Sequence, residues 1–139
     1  MKKIVFALLT LSLILLNACN HVEKDYRVQW TGFYSCKVHS SFGISNTGEV
    51  MESDYTDTMM VSMAADSCLE VSSLTNDKVW TFSVDEAGNI ISGSVNFKAG
   101  SESEGVFSKN EFSFMYSDYG VNVTRQYEVE GHRLNKAVQ

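Results

Sequence analysis

From Trp30 to Arg133 apolar and polar residues exchange places with a period of two, in short runs rich in Val, Phe, Tyr, Thr and Ser and punctuated by Gly, Asn and Asp. Successive side chains of a strand point to opposite faces, so such runs lay one apolar row on a core and one polar row in water. Beyond residue 20 no stretch keeps an apolar stripe at helical spacing for three turns. The chain therefore reads as all-β.

Eight strands are expected. Trp30–His39 sets Trp30, Gly32, Tyr34, Cys36 and Val38 on one face, and a polar loop with Gly43 and Gly48 covers 40–53. Tyr55–Ala64 alternates Met59, Val61 and Met63 with Thr58, Met60 and Ser62, and Cys68–Leu74 pairs Leu69 with Val71 on a face. Val79–Val84 sets Trp80, Phe82 and Val84 against Thr81 and Ser83, and the loop Asp85 to Asn89 leads into Ile90–Phe97, with Ile91, Val95 and Phe97 on one side. A polar turn over 100–105 enters a short strand ending near Phe107. Glu111–Ser117 alternates Phe112, Phe114 and Tyr116 with Ser113, Met115 and Ser117, and Val121–Arg133 carries Val123, Tyr127 and Val129 on one face. Short strands joined by tight turns favour an antiparallel up-and-down meander, and eight can close into a small barrel without free edges. The absence of proline leaves every backbone N–H free to pair.

The amino terminus is of another kind. Met1-Lys2-Lys3 precedes an apolar run from Ile4 to Leu16 that is too short to span a bilayer comfortably, the pattern of a signal peptide. Leu16-Asn17-Ala18-Cys19 resembles the bacterial lipobox, in which the cysteine is acylated and the peptide is cut before it. The resemblance implies a signal peptide over 1–18, a membrane anchor at Cys19 and a polar tether over 19–29, followed by the barrel domain over 30–139. Each buried CH₂ of an acyl chain contributes ~0.8 kcal/mol, so several chains give stable anchoring. Asn20 stands where an aspartate retains many lipoproteins at the inner membrane, so the same family rule places the protein in the cell envelope at the outer membrane. Cleavage removes two of the 11 basic residues and none of the 17 acidic ones, and the acidic mature surface argues against nucleic acid as a partner.

Trp30-Thr31-Gly32-Phe33-Tyr34 at the head of the first strand, the hairpin rhythm and Asn110-Glu111-Phe112-Ser113-Phe114 near the end are similar to the calycin or lipocalin-like small lipoproteins of Bacteroidota-type bacteria. Lipocalins proper place the glycine before the tryptophan, and here the order is reversed. The resemblance implies a cup-shaped barrel for a small apolar molecule. It also implies closure by a final-strand arginine over the first-strand tryptophan, a role that Arg133 and Trp30 match. A surface charge ahead of the polar tail is the other reading of Arg133. Within the barrel Tyr34, Trp80, Phe82, Tyr116 and Tyr127 are the candidate ligand-cavity residues, and a core filled by its own side chains is the competing reading.

The remaining chemistry is sparse. His21, His39 and His132 show no metal-ligand spacing, no cofactor motif appears, and no nucleophile–base pattern supports an enzyme. Export would let Cys36 and Cys68 form a disulfide, although two separate buried thiols fit as well. Asp57-Thr58-Met59 resembles the three-residue O-glycosylation site of Bacteroidota, with Thr58 as acceptor. Two functions remain open: a lipid-anchored module binding a small apolar or amphipathic ligand, and a protein–protein module acting as an envelope assembly factor or enzyme inhibitor. On either, Cys19→Ser should abolish incorporation of radiolabelled palmitate, and label in the variant equal to wild type would remove the anchor.

Overall fold

The computed structural model describes residues 25–95 and 102–135, so Cys19, His21 and Phe97 lie outside the described residues. The alternation is realised as eight strands, β1 (Gly32–Ile44), β2 (Glu49–Met63), β3 (Cys68–Ser73), β4 (Val79–Val84), β5 (Ile90–Val95), β6 (Glu102–Phe107), β7 (Glu111–Tyr119) and β8 (Val123–Arg133). Every pairing is antiparallel and between chain neighbours, except that β1 also pairs β8. The β1–β8 ladder runs from Tyr34↔Arg133 to Ile44↔Val123 and curls the meander into a nearly closed barrel. The remaining seam lies between β5 and β6, joined among the described residues by the bridge Asn89↔Val106 and by Phe107 N–H donating to the Gly88 carbonyl at 2.8 Å. Gly88 is required there: it has φ +91°, and a Cβ would lie 2.1 Å from the Phe107 oxygen.

The inward row of each strand fills the barrel. Trp30, Phe107, Phe112, Phe114, Trp80 and Tyr127 form a continuous column of rings, with successive centroids 6.2, 5.3, 5.8, 5.5 and 5.7 Å apart. Tyr34 and Phe82 join it at 5.0 Å from Phe112 and 4.7 Å from Phe114. Each such contact contributes about 0.5–1.5 kcal/mol beyond area burial. Gly131 makes room for the column, since a Cβ there would come within 2.5 Å of the Phe112 ring.

Several assignments differ from the sequence reading: β6 begins at Glu102, inside the expected turn over 100–105, β7 runs past Ser117 to Tyr119, β8 begins at Val123, and four larger differences each have a physical reason. Residues 40–53 are not a loop: β1 and β2 continue through them as a hairpin, turning at Gly48 (φ +69°). Ladder bonds to β8 hold this stretch in the sheet, and its mixed polarity on both faces hides the alternation. Trp30 ends a 3-10 turn, Tyr26–Trp30, and β1 starts only at Gly32. Residues 25–29 are therefore part of the domain and not tether: Tyr26 Oη donates to the Val84 carbonyl at 2.9 Å, and Arg27, paired with Asp25 at 2.6 Å, donates to the carbonyls of Ala64 and Cys68. Finally, a register shift at Ser83/Val84 pairs Val84 with Ile90, which turns Ile90 to the core and leaves Ile91 66% exposed.

The 3-10 turn seals one end of the barrel. Arg133 meets the start of β1 there, but the ring under its guanidinium is Tyr34, 5.4 Å away, and not the indole of Trp30. Arg133 also donates to Tyr34 Oη at 2.8 Å and to the Gln29 carbonyl at 2.6 Å, while Tyr34 Oη donates to the Trp30 carbonyl at 2.8 Å. The tryptophan and arginine are thus linked through a tyrosine, because the turn that carries Trp30 tucks it beneath the barrel, against Tyr26 and Phe107. Removing a half-buried charged donor and its ring contact costs about 1–3 kcal/mol. Arg133→Ala should lower stability by that amount in urea titration, and an unchanged midpoint would show that the latch contributes nothing.

Candidate functional site

The barrel's two walls differ in height. β1 and β2 have 13 and 15 residues and β7 and β8 have 9 and 11, whereas β3 and β4 have six each; β5 and β6 have six each among the described residues. At the end opposite the 3-10 turn, β2, β1, β8 and β7 therefore rise above the short wall of β3 and β4, which makes this mouth oblique. Their inward row continues there as Met51, Phe42, Arg125 and Asp118, cross-strand neighbours in that order. Arg125 lies over the Phe42 ring at 5.5 Å and faces Asp118 at 3.6 Å.

Two residues of the short wall reach across this mouth. Trp80 on β4 meets Tyr127 on β8 edge to face, and Lys78, two residues before Trp80 on the same face, sets Nζ 4.2 Å from the centroid of the Tyr127 ring. Trp80 Nε1, Tyr55 Oη and Ser103 Oγ are buried and make no hydrogen bond among the described residues. All three occupy inward positions: Tyr55 shares the row of Met59 and Val61, and Ser103 is paired with the buried Tyr116. An unmet buried polar group costs about 1–3 kcal/mol, so each of the three gains from any water or ligand atom that reaches it.

One carboxylate near this end is spoken for. Asp57, buried between Tyr55 and Met59, accepts from Ser73 Oγ at 2.5 Å, Thr75 Oγ1 at 2.9 Å and Asn76 Nδ2 at 3.4 Å. It thereby builds the β3–β4 turn.

The five cavity candidates divide. Tyr34, Trp80, Phe82 and Tyr116 are all fully buried, and the rings of Tyr34 and Phe82 belong to the lower aromatic core. Trp80 and Tyr127 form the top layer of the ring column, where the mouth begins. Tyr55, Lys78 and Ser103 escaped the sequence reading. Lys78 stands two residues before Trp80 and Tyr55 two before Asp57, so extending each apolar row by one step would have found them. Ser103 was hidden because 100–105 reads as a turn.

Cys36 and Cys68 are free thiols and form no bridge. β2 lies between their strands, and Cys36 pairs with Asp57 whereas Cys68 stands beyond Leu69↔Met63. Thr58 lies mid-strand on β2 opposite Ser35, its carbonyl accepting from Leu74 N–H at 3.0 Å. On the outer face a groove of about 470 Å³ runs past Lys37, Asp54, Glu128 and Glu130, where His39 Nδ1 lies 2.7 Å from Asp54. That hydrogen bond raises the His39 pKa.

No family model, curated protein or solved structure matches the chain.

Burial, with a smaller push from the Asp57 carboxylate, moves the Cys36 thiol from the usual 9.0 up to about 12. Only the thiolate is nucleophilic, so raising the pKa suppresses its population at pH 8. Iodoacetamide at pH 8 should therefore label Cys68 in the native protein but Cys36 only in denaturant. Equal native labelling of the two cysteine peptides would contradict a sealed Cys36.

Proposed function

We propose that this is a lipid-anchored protein of the cell envelope, at the outer membrane, whose barrel binds a small amphipathic ligand at its oblique mouth. The reading is that of a binding protein and not of an enzyme. The observation that carries it is the set of inward, buried and unpartnered polar atoms on Tyr55, Trp80 and Ser103, above a column of rings that leaves the lower barrel to the protein's own side chains. A site of this kind is shallow: the aromatic column is its floor, and the inner face of the tall wall is its apolar side.

The anchor fits this arrangement. The described chain begins at the sealed end, where Asp25 caps the 3-10 turn. From Cys19 to Asp25 the chain spans at most ~20 Å. An acylated Cys19 would thus hold the sealed end toward the bilayer, with the mouth directed away from it.

A second reading, a protein–protein module, is favoured by the tip of the tall wall. Val50 (64%), Met51 (57%) and Val121 (99%) are exposed there, and Ser45 N–H donating to the Asn122 carbonyl at 3.0 Å ties the two turns together. Native mass spectrometry of the protein extracted from its own host distinguishes the two. A small-molecule adduct that is lost in Tyr127→Ala is expected. The bare acylated mass in wild type, with a protein partner lost in Val50→Ser/Met51→Ser, would establish the second reading in place of the first.

A further inference from the structure

The outward rows of β1 and β8 are polar until they reach the sealed end. Alternation with the buried Tyr34, Cys36 and Val38 turns Ser35, Lys37 and His39 outward on β1, and Glu128, Glu130 and His132 face outward on β8. The last outward position of each row is instead a large apolar side chain. Phe33 is 50% exposed, and Leu134, just past the end of β8, is 46% exposed. The two are cross-strand neighbours, since Leu134 N–H donates to the Phe33 carbonyl at 2.8 Å, and Met60 on β2 pairs with Phe33 on its other side. Val28, 41% exposed on the 3-10 turn, adds a third apolar side chain at this end, its carbonyl accepting from Thr31 N–H.

Charge sets the edges of the patch. Asp66 lies in the β2–β3 turn, and Asp85 and Glu86 lie in the β4–β5 turn, across the barrel from β1 and β8. Asp25 is paired with Arg27, and Glu111 lies 3.4 Å from His132. Burying a free carboxylate in lipid is costly, so only the β1–β8 side of this end can approach hydrocarbon. Lys109 lies beside that side, in the β6–β7 turn whose Asn110 carbonyl accepts from Arg133 N–H, and its long stem lets the ammonium stay among head groups.

Three part-exposed side chains are too few to hold a free protein on a bilayer, but a short tether supplies effective concentrations of roughly millimolar. An acylated Cys19 lies within ~20 Å of Asp25, which caps the 3-10 turn. The acidic chain is not drawn to anionic head groups, so the contact is apolar. Resting on the proposed anchor at Cys19, we infer that the sealed end is itself a membrane-contact surface: Phe33, Leu134 and Val28 insert into the lipid interface and tilt the barrel with its β1–β8 side down.

The test uses the mature acylated protein in phosphatidylcholine vesicles whose acyl chains carry bromine, which quenches tryptophan on contact. Trp30 and Trp80 are buried and supply a constant background. Emission added by Phe33→Trp, and separately by Leu134→Trp, should be quenched, whereas emission added by Val50→Trp at the opposite tip should not. In the Leu134→Trp protein, adding Phe33→Ser should lower the ratio of docked to undocked barrels about fivefold, the effect of taking one half-exposed aromatic out of lipid.

Equal quenching at positions 33 and 50, or none at either in acylated protein that floats with the vesicles, would overturn the contact and leave the anchor in place. Quenching seen only when phosphatidylglycerol is added would overturn the apolar contact in favour of a charge contact through Lys109. A dimer in detergent that Phe33→Ser dissolves, without quenching in vesicles, would overturn it in favour of a second copy of the chain. A protein whose mass lacks acyl chains and which does not float would remove the anchor reading and this inference with it.

Discussion

The pairing of β1 with β8 is the constraint on which the rest of this structure depends. It joins the first and last strands of a meander, so without it the eight strands would form an open sheet with its apolar face in water. Its register, Tyr34 opposite Arg133, also decides which residues meet at each end. At one end it brings Arg133 to Tyr34 and Gln29 and so latches the 3-10 turn beneath the barrel. At the other it carries the ladder on to Ile44↔Val123 and raises the tall wall.

Closure by side chains complements closure by backbone. Among the described residues the seam between β5 and β6 has little ladder bonding, yet the rings of Phe82 on β4 and Phe107 on β6 lie 6.2 Å apart, and both contact the β7 phenylalanines. The aromatic column thus ties together the two halves that the incomplete seam leaves apart. Filling the lower barrel in this way concentrates the remaining polar demand at the mouth. There Trp80, the last large ring of β4, meets Tyr127 with its indole N–H unmet.

The same packing accounts for the cysteines and the buried aspartate. Cys36 and Asp57 are cross-strand neighbours on the inward face, where an inert thiol fills space and a carboxylate survives because three donors from the β3–β4 turn reach it. Asp57 is consequently a structural residue of the β3–β4 turn.

Local alternation determined a good deal about this protein without help from the fold. Trp80, Phe82 and Val84 face inward as their spacing requires, as do Phe112, Phe114 and Tyr116, and the strand Val79–Val84 has the ends that its flanking polar residues mark. A period of two is a property of neighbouring residues, so it is legible one strand at a time. The oblique mouth is not of this kind. The hairpin over 40–53 is held by pairing with a strand some eighty residues away, the face of Ile91 is set by a bulge that depends on β4, and Arg133 rests on Tyr34 because a 3-10 turn moved Trp30 out of the strand. Each of these follows from partners distant in sequence, and hydrogen-bond register between distant strands leaves no local periodicity to read. The sequence alone therefore determined the strands and most of the core, and only the tertiary structure decided which wall is tall, where the barrel opens and which polar groups are left there without a partner.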